Sequence, residues 1–272
     1  MDESYIISLF DNAFIGDDGA IVGDNIYSKD LFCENIHFKR EWMSLEQIAY
    51  KAMIVNISDA VVMNAKPKFA LLGLKLPSNI SKQEIDELSL GFKKACSEYG
   101  ITIIGGDTVS GDCIDISITI ISQTTNPIKR DGLNVGDMIC FTGELGTVQR
   151  DLNILFEGGK VADNSKFINP ILHDKFFYEV SDYLTSALDI SDGLSKELSR
   201  LSKINSLGFA FFCELSDEEL CSGEEYEILF SFNEKDLDKI IKIASKHSVK
   251  INIFAQAIKG SYETKCKENH FG

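Results

Sequence analysis

The sequence is poor in proline, with 4 in 272 residues, has a single tryptophan, and carries far fewer bases than acids: 27 Lys and Arg against 42 Asp and Glu, a formal net charge of -15. Scarce proline combined with 44% hydrophobic residues argues against a disordered or fibrous chain. It leaves enough apolar material for a substantial core, in one large domain or two modest ones. The shortage of bases disfavours nucleic acid and anionic membrane as partners, because both need a basic surface to displace condensed counterions. If the ligand is itself a polyphosphate, divalent cations must bridge it to so acidic a protein. No run approaches the roughly 20 apolar residues that cross a bilayer. The start, Met1-Asp2-Glu3, lacks the basic and apolar stretches of a secretory signal, so a cytoplasmic location is expected. The seven cysteines (Cys33, Cys96, Cys113, Cys140, Cys213, Cys221 and Cys266) are odd in number, scattered and never in a CxxC pair. That pattern argues against a disulfide framework and a structural zinc site, and reduced thiols are expected. Also missing are a GxxxxGK[ST] phosphate loop, a GxGxxG dinucleotide turn and the HRD and DFG motifs of protein kinases, which argues against the common nucleotide folds.

What is present reads as alternating strands and helices. Residues 21–33 and 68–76 have strand character, the second an apolar run stopped by Pro77. Between them Ser44 and Gln47 form a capping box ahead of a helix, and Ser81 with Glu84 forms another for a helix that ends at Gly100. A short strand at 101–104 is expected to meet a turn at Gly105 to Thr108, with a further strand at 114–122. Composition turns polar over 126–136, so two mixed α/β domains are expected, 1–135 and 136–272. The second half predicts strands at 138–142, 226–232 and 249–256. Helices are predicted at 146–157, 171–187, 195–205 and 234–247, with Asp217 to Glu219 a solvated turn.

Six segments could carry chemistry. Gly16-Asp17-Asp18-Gly19 sets adjacent carboxylates in a glycine-flanked turn, which offers either a cation site or a solvated loop. Ser28-Lys29-Asp30 ends a strand and is soon followed by Glu34 and His37, the histidine being either structural or a ligand contact. Asn56-Ile57-Ser58-Asp59 places a carboxylate on a mostly apolar helix, where it needs a metal or a hydrogen-bonding partner. Gly105-Gly106-Asp107-Thr108 suits close approach of backbone amides to phosphate, or an ordinary turn. Asp189-Ile190-Ser191-Asp192-Gly193 flanks a serine with carboxylates just before a helix, a place for phosphate and its metal, or simply an N-cap. Gly223-Glu224-Glu225-Tyr226-Glu227 is an acidic strand entry that fits either a substrate contact or edge-strand gatekeeping. The repeated grammar, an aspartate beside glycine or serine at a strand end or helix start, suits an ATP site with several Mg²⁺ ions. It does not suit the isolated acid and base pair of a glycosidase.

In order along the chain, these segments, with Arg130 and Gly132, resemble the thiamine-monophosphate kinases. That family shares an ATP-binding superfamily with aminoimidazole ribonucleotide synthetase and selenophosphate synthetase. The resemblance implies an N-terminal α/β domain whose sheet pairs across a homodimer, a C-terminal α/β domain, and ATP between them. It implies Mg²⁺ ligands at Asp18, Ser28, Asp30, Asp59, Asp107 and Asp189, with Asp192 a further one and Lys29 at a ligand position. ATP contacts fall at Gly106, Asp107, Arg130 and Ser191, and acceptor contacts at His37, Glu224, Glu225 and Phe271. The implied reaction is transfer of a phosphoryl group from ATP to thiamine monophosphate. A phosphate acceptor needs no general base and no covalent nucleophile on the enzyme. Lys29 stands where the family usually has a small hydroxyl residue, and both the 192–224 segment and the whole chain are shorter than is usual. Those departures keep open a different acceptor within the superfamily, or a nucleotide-binding module without turnover. A selenophosphate synthetase is expected to carry an early reactive cysteine, absent from residues 1–32, and a hydrogenase-maturation relative to end in cysteine, whereas six residues follow Cys266.

Overall fold

The computed structural model describes residues 3–10 and 12–267. A short helix α1 (Glu3–Ser8) precedes the hairpin β1 (Ala20–Val22) and β2 (Asn25–Cys33), so the single strand expected over 21–33 is broken by a turn at Gly23 and Asp24. There follow α2 (Leu45–Val62), β3 (Lys66–Pro77), α3 (Lys82–Tyr99), β4 (Thr102–Gly111) and β5 (Asp115–Gln123). The strand order is β1-β2-β5-β3-β4, with β3 and β4 parallel across the α3 connection and the other pairs antiparallel. Both expected capping boxes are formed: the Ser44 and Ser81 side chains accept from the amides of Gln47 and Glu84, whose side chains reach back to the cap amides. Helix α2 is apolar almost all round and buried along nearly its whole length, as a helix between two layers must be.

The second half forms a separate antiparallel sheet in the order β7-β9-β6-β10-β8. Its elements are β6 (Met138–Thr142), α4 (Thr147–Phe156), α5 (Asp174–Val180), β7 (Leu184–Asp189), α6 (Leu194–Asn205), β8 (Leu207–Phe211), α7 (Asp217–Cys221), β9 (Ile228–Phe232), α8 (Leu237–Lys246) and β10 (Ile251–Lys259). One apolar cluster runs from α2 and β5 through Phe176 and Phe177 of α5 to Phe230 and Phe232 of β9, so the two sheets share a continuous core. No helix among the described residues is long and apolar enough to cross a membrane.

Four expectations are corrected. The helix expected over 171–187 stops at Val180, and its second half is strand β7, whose last four residues are all buried. Gly105 to Thr108 is not a turn but the middle of β4, with a register shift at Ala70/Leu71 of β3. Gly106 is required there by close approach, because a Cβ would lie 1.7 Å from the Leu72 carbonyl oxygen. Asp217 to Glu219 opens a short helix, capped reciprocally by Ser216 and Glu219, instead of a turn. Finally, Cys221 and Cys266 are joined as a disulfide across 45 residues, while the other five cysteines are free, so the expectation of reduced thiols fails for this pair. A scattered count of cysteines carries no signal of two that the fold brings together.

Candidate functional site

Three elements deliver carboxylates to one point. Asp18 lies in the loop before β1, Asp59 on α2, and Asp189 is the last residue of β7. One oxygen from each lies within 4.8 Å of the others. The surroundings explain why they are held there. Asn56, on the same helix as Asp59, donates to the Ile118 carbonyl (2.8 Å) and accepts from the Ser28 hydroxyl (2.7 Å), which locks α2 against β2 and β5. Ser58 donates to Asp189 (2.7 Å), tying the helix to the second sheet. Every polar residue of the Asn56 to Asp59 segment therefore has a structural or site role.

Burial, then repulsion from Asp30, Asp189 and Asp18, holds the Asp59 carboxyl well above the usual carboxylate range. Asp189 is likewise pushed well up, by burial and then by Asp18. Asp18 is raised by burial even though the Arg130 guanidinium beside it opposes the shift. Such a cluster, with oxygen donors only and charge that the protein leaves in excess, fits a hard divalent cation.

The cluster sits in a cleft of about 790 Å³ between the two sheets. Two arginines line it. Arg130 pairs with Asp18 through Nε (3.3 Å) and Nη2, and its amide donates to Asp17 (2.8 Å). Arg200, on α6, pairs with Asp192 and donates to both oxygens of Glu197 (2.7 Å each). His37, Glu224, Tyr226, Lys29, Asp30 and Ser191 also line the cleft. The His37 ring is fixed by the Cys33 amide, which donates to Nδ1 (3.0 Å), and stacks on Phe32. Glycine at 193 is needed because α6 begins there with φ +104, packed on the backbone of Leu220 and Cys221.

Asp18, Lys29, Asp30, His37, Asp59, Arg130, Asp189, Ser191, Asp192 and Glu224 thus line one cavity. Four expected residues do not. The Ser28 hydroxyl is buried and spent on Asn56. Gly106 and Asp107 lie on exposed β4, the strand at the opposite edge of the sheet from the β1–β2 hairpin. Glu225 turns away from the cleft and is consumed by structure: its carboxylate accepts from the Val148 amide, the Thr147 and Ser222 hydroxyls and Lys166. Phe271 lies outside the described residues. The sequence reading passed over Arg200, Tyr226 and Lys51. For Lys51 a signal existed, since it is the sole base in the eighteen residues of α2.

Comparison with known proteins gives the family and agrees with the fold. Residues 16–124 match the family described as AIR synthase related protein, N-terminal domain. The chain is 33% identical over 221 residues to a thiamine-monophosphate kinase of Nitrosopumilus maritimus, covering 74% of this chain and 71% of that one. It is 32% identical over 241 residues to the Leptospira interrogans enzyme of the same name, covering 81% and 77%. The chain belongs to the thiamine-monophosphate kinase family. Membership makes it a kinase, and the fold agrees: the structure described as AaThiL complexed with AMPPCP and TMP superposes with a TM-score of 0.86 over 99% of this chain and 95% of that one, at 21% identity. A cleft that gathers carboxylates and two arginines has the chemistry to hold charged groups.

Proposed function

We propose that the chain transfers the terminal phosphoryl group of ATP directly to the phosphate of thiamine monophosphate, giving thiamine diphosphate and ADP. The observation that carries this reading is the convergence of Asp18, Asp59 and Asp189 within 4.8 Å, beside Arg130 in a cleft large enough for two phosphorylated ligands. Asp18, Asp30, Asp59, Asp189 and Asp192 would hold several Mg²⁺ ions, which when bound neutralise the mutually repelling phosphates. The carboxylate floor fixes where the phosphates meet. Arg130, and with it Arg200, offsets charge on the transferring group. Ser191, two residues before the Gly193 cap of α6, would contact a nucleotide phosphate near the helix N-terminus. His37 and Glu224 orient the acceptor, and Phe271 is proposed as a further acceptor contact.

An acceptor phosphate oxygen attacks the terminal phosphorus in line, the bond to the bridging oxygen breaks, and its electron pair leaves with ADP. No proton has to be removed, so no general base is required.

We further propose a homodimer formed by the N-terminal sheet, with the chain dividing into domains at 135/136, and a cytoplasmic location. Support for pairing comes from β4, an exposed edge strand whose Ile103, Ile104 and Val109 face solvent beside exposed Phe69 and Leu71. Pairing there would also give Gly106 and Asp107 a route to the nucleotide of the partner subunit.

The test is to incubate the protein with Mg²⁺-ATP and thiamine monophosphate and follow ADP and thiamine diphosphate together by chromatography. Equimolar products that require the monophosphate are expected. ADP without thiamine diphosphate would instead place a different acceptor in the cleft, and bound ATP with neither product would mean a module without turnover.

A further inference from the structure

Lys51 is among the largest fully buried side chains of the protein, with its ammonium inside the shared core. The Nζ lies 4.0 Å from the ring centroid of Phe167 and 5.6 Å from that of Phe32, and it donates to Glu224 Oε2 at 2.6 Å. The two partners are 173 residues apart and belong to different sheets' halves of the chain. A lysine taken wholly out of water is costly unless its charge is matched, so a buried ammonium aimed at one carboxylate marks a contact that the fold is built around.

Glu224 is an unusual partner. It has φ +56 and Tyr226, two residues on, has φ +50, both left-handed and neither a glycine. A backbone held twice in that region persists only where its surroundings over-determine it. Two backbone bonds supply one side of that restraint: the Glu224 amide donates to the Ser191 carbonyl (2.7 Å) and the Tyr226 amide to the Ile190 carbonyl (2.9 Å). Lys51 supplies the other. The Glu224 side chain is 22% exposed, and that exposure opens into the cleft.

We infer that Lys51 is a positioning residue for the acceptor: it occupies Oε2 of Glu224 and presents the remaining oxygen to the acceptor at a fixed distance from the phosphates. The distance is set by α2 itself. Lys51 and Asp59 lie eight residues apart on one helix, about 12 Å along its axis. One rigid element therefore carries the anchor of the acceptor end and a ligand of the phosphate end. This inference rests on the acceptor-binding role proposed above for Glu224, and it gives that role a second residue and a measuring device.

The test compares Lys51→Met, Glu224→Gln and the double variant. Methionine keeps the volume and suits a pocket of aromatic rings, so Lys51→Met folds without an empty cavity. Losing a charge-assisted bond predicts about a tenfold or greater rise in the acceptor KM for either single variant, with the ATP KM moved far less. Because Lys51 acts through Glu224, adding Lys51→Met to Glu224→Gln should change the acceptor KM by less than about threefold. Losses that multiply, or an equal rise in both KM values, would overturn the inference.

A second measurement does not depend on the acceptor. Amide hydrogen exchange over residues 222–226 should speed up in Lys51→Met while the amides of α2 keep their protection. Unchanged exchange in the loop would overturn the pinning of Glu224 by Lys51. If the wild-type protein makes no thiamine diphosphate yet the loop loosens, the acceptor reading has failed and the positioning of Glu224 stands.

Discussion

At the cleft floor the carboxylates of Asp18, Asp59 and Asp189 share a space that favours one cation and penalises three anions. The sign of the pH dependence follows from their raised positions. A carboxyl whose folded value exceeds the usual 3.8 leaves the folded chain holding more protons than the unfolded one. Stability of the metal-free protein is therefore fullest below that usual value and is lost as pH rises through the raised one. Asp59→Asn should abolish turnover and yet raise Tm in the presence of a chelator at pH 8, by roughly 2–6 °C if relieving one buried like charge is worth about 1–2 kcal/mol in a chain of this size. The gain should shrink at pH 4, and added Mg²⁺ should stabilise the wild type more than the variant. A variant less stable than wild type under chelation at pH 8 would mean that Asp59 is a structural hydrogen-bonding group and not a metal ligand. Asp18 and Asp189 were legible in the sequence because they stand at element boundaries in segments that carry glycine or serine, and Asp59 because it is a carboxylate on a mostly apolar helix. Lys51 and Arg200 were not singled out, since a charge on a helix gains its meaning from a partner that only the fold supplies. Glu224 and Glu225 were indistinguishable as residues, and it is the left-handed backbone at Glu224 that sends one carboxylate to the cleft and leaves the other for the amide of Val148.

Among the elements, those with local signals were read well. The two capping boxes fix the starts of α2 and α3, and Gly100, with φ +68, ends α3. Elements whose identity depends on a neighbour were misread. The apolar residues Phe176, Phe177, Val180, Leu184, Ala187 and Leu188 repeat at helical spacing, but the chain turns at Ser181–Tyr183 and β7 then runs buried against β9, where alternation is erased. The glycines of β4 looked like a turn because their reason is across the ladder. A Cβ at Gly106 would collide with Leu72, whereas one at Gly105 would meet only the Leu71 side chain at 3.4 Å. Gly106→Ala should therefore cost about 3 kcal/mol or more, roughly 6–12 °C in Tm, and expose the β3–β4 amides to exchange. Gly105→Ala should cost far less, and equal losses would show that flexibility of the strand, not the close approach, is what these glycines supply.

Across the whole molecule the chain solves two problems of excess charge in different ways. In the cleft Arg130, Arg200 and Lys51 each pair with one carboxylate, and Asp18, Asp59 and Asp189 still crowd one point. Just before β9, Glu225 and Glu227 are buried but matched by Lys166, which lies 3.0 and 2.7 Å from them, and by the hydroxyls of Thr147, Ser222 and Thr142. That internal scaffold holds the base of the loop whose tip is Glu224, and the loop is fastened again at its start by Cys221, bonded to Cys266. Closing 45 residues removes unfolded-state freedom worth at most about 4 kcal/mol. Cys221→Ser should lower Tm accordingly, while Cys213→Ser, at an exposed free thiol, should leave it within about 0.5 kcal/mol of wild type. The deciding comparison is reductant. Dithiothreitol should bring the wild type down to the Tm of Cys221→Ser and leave that variant unmoved, since it has no bond to lose. If reductant leaves the wild type unchanged, the bond adds nothing to stability and the segment is held by the hydrogen bonds of Tyr262, Thr264 and Lys265 to Ser195 and Ser202 and by the packing of Tyr262 on Phe209 and Phe211. In a compartment poised by glutathione, the first outcome ties the rigidity of the loop that carries Glu224 to the thiol–disulfide balance around it.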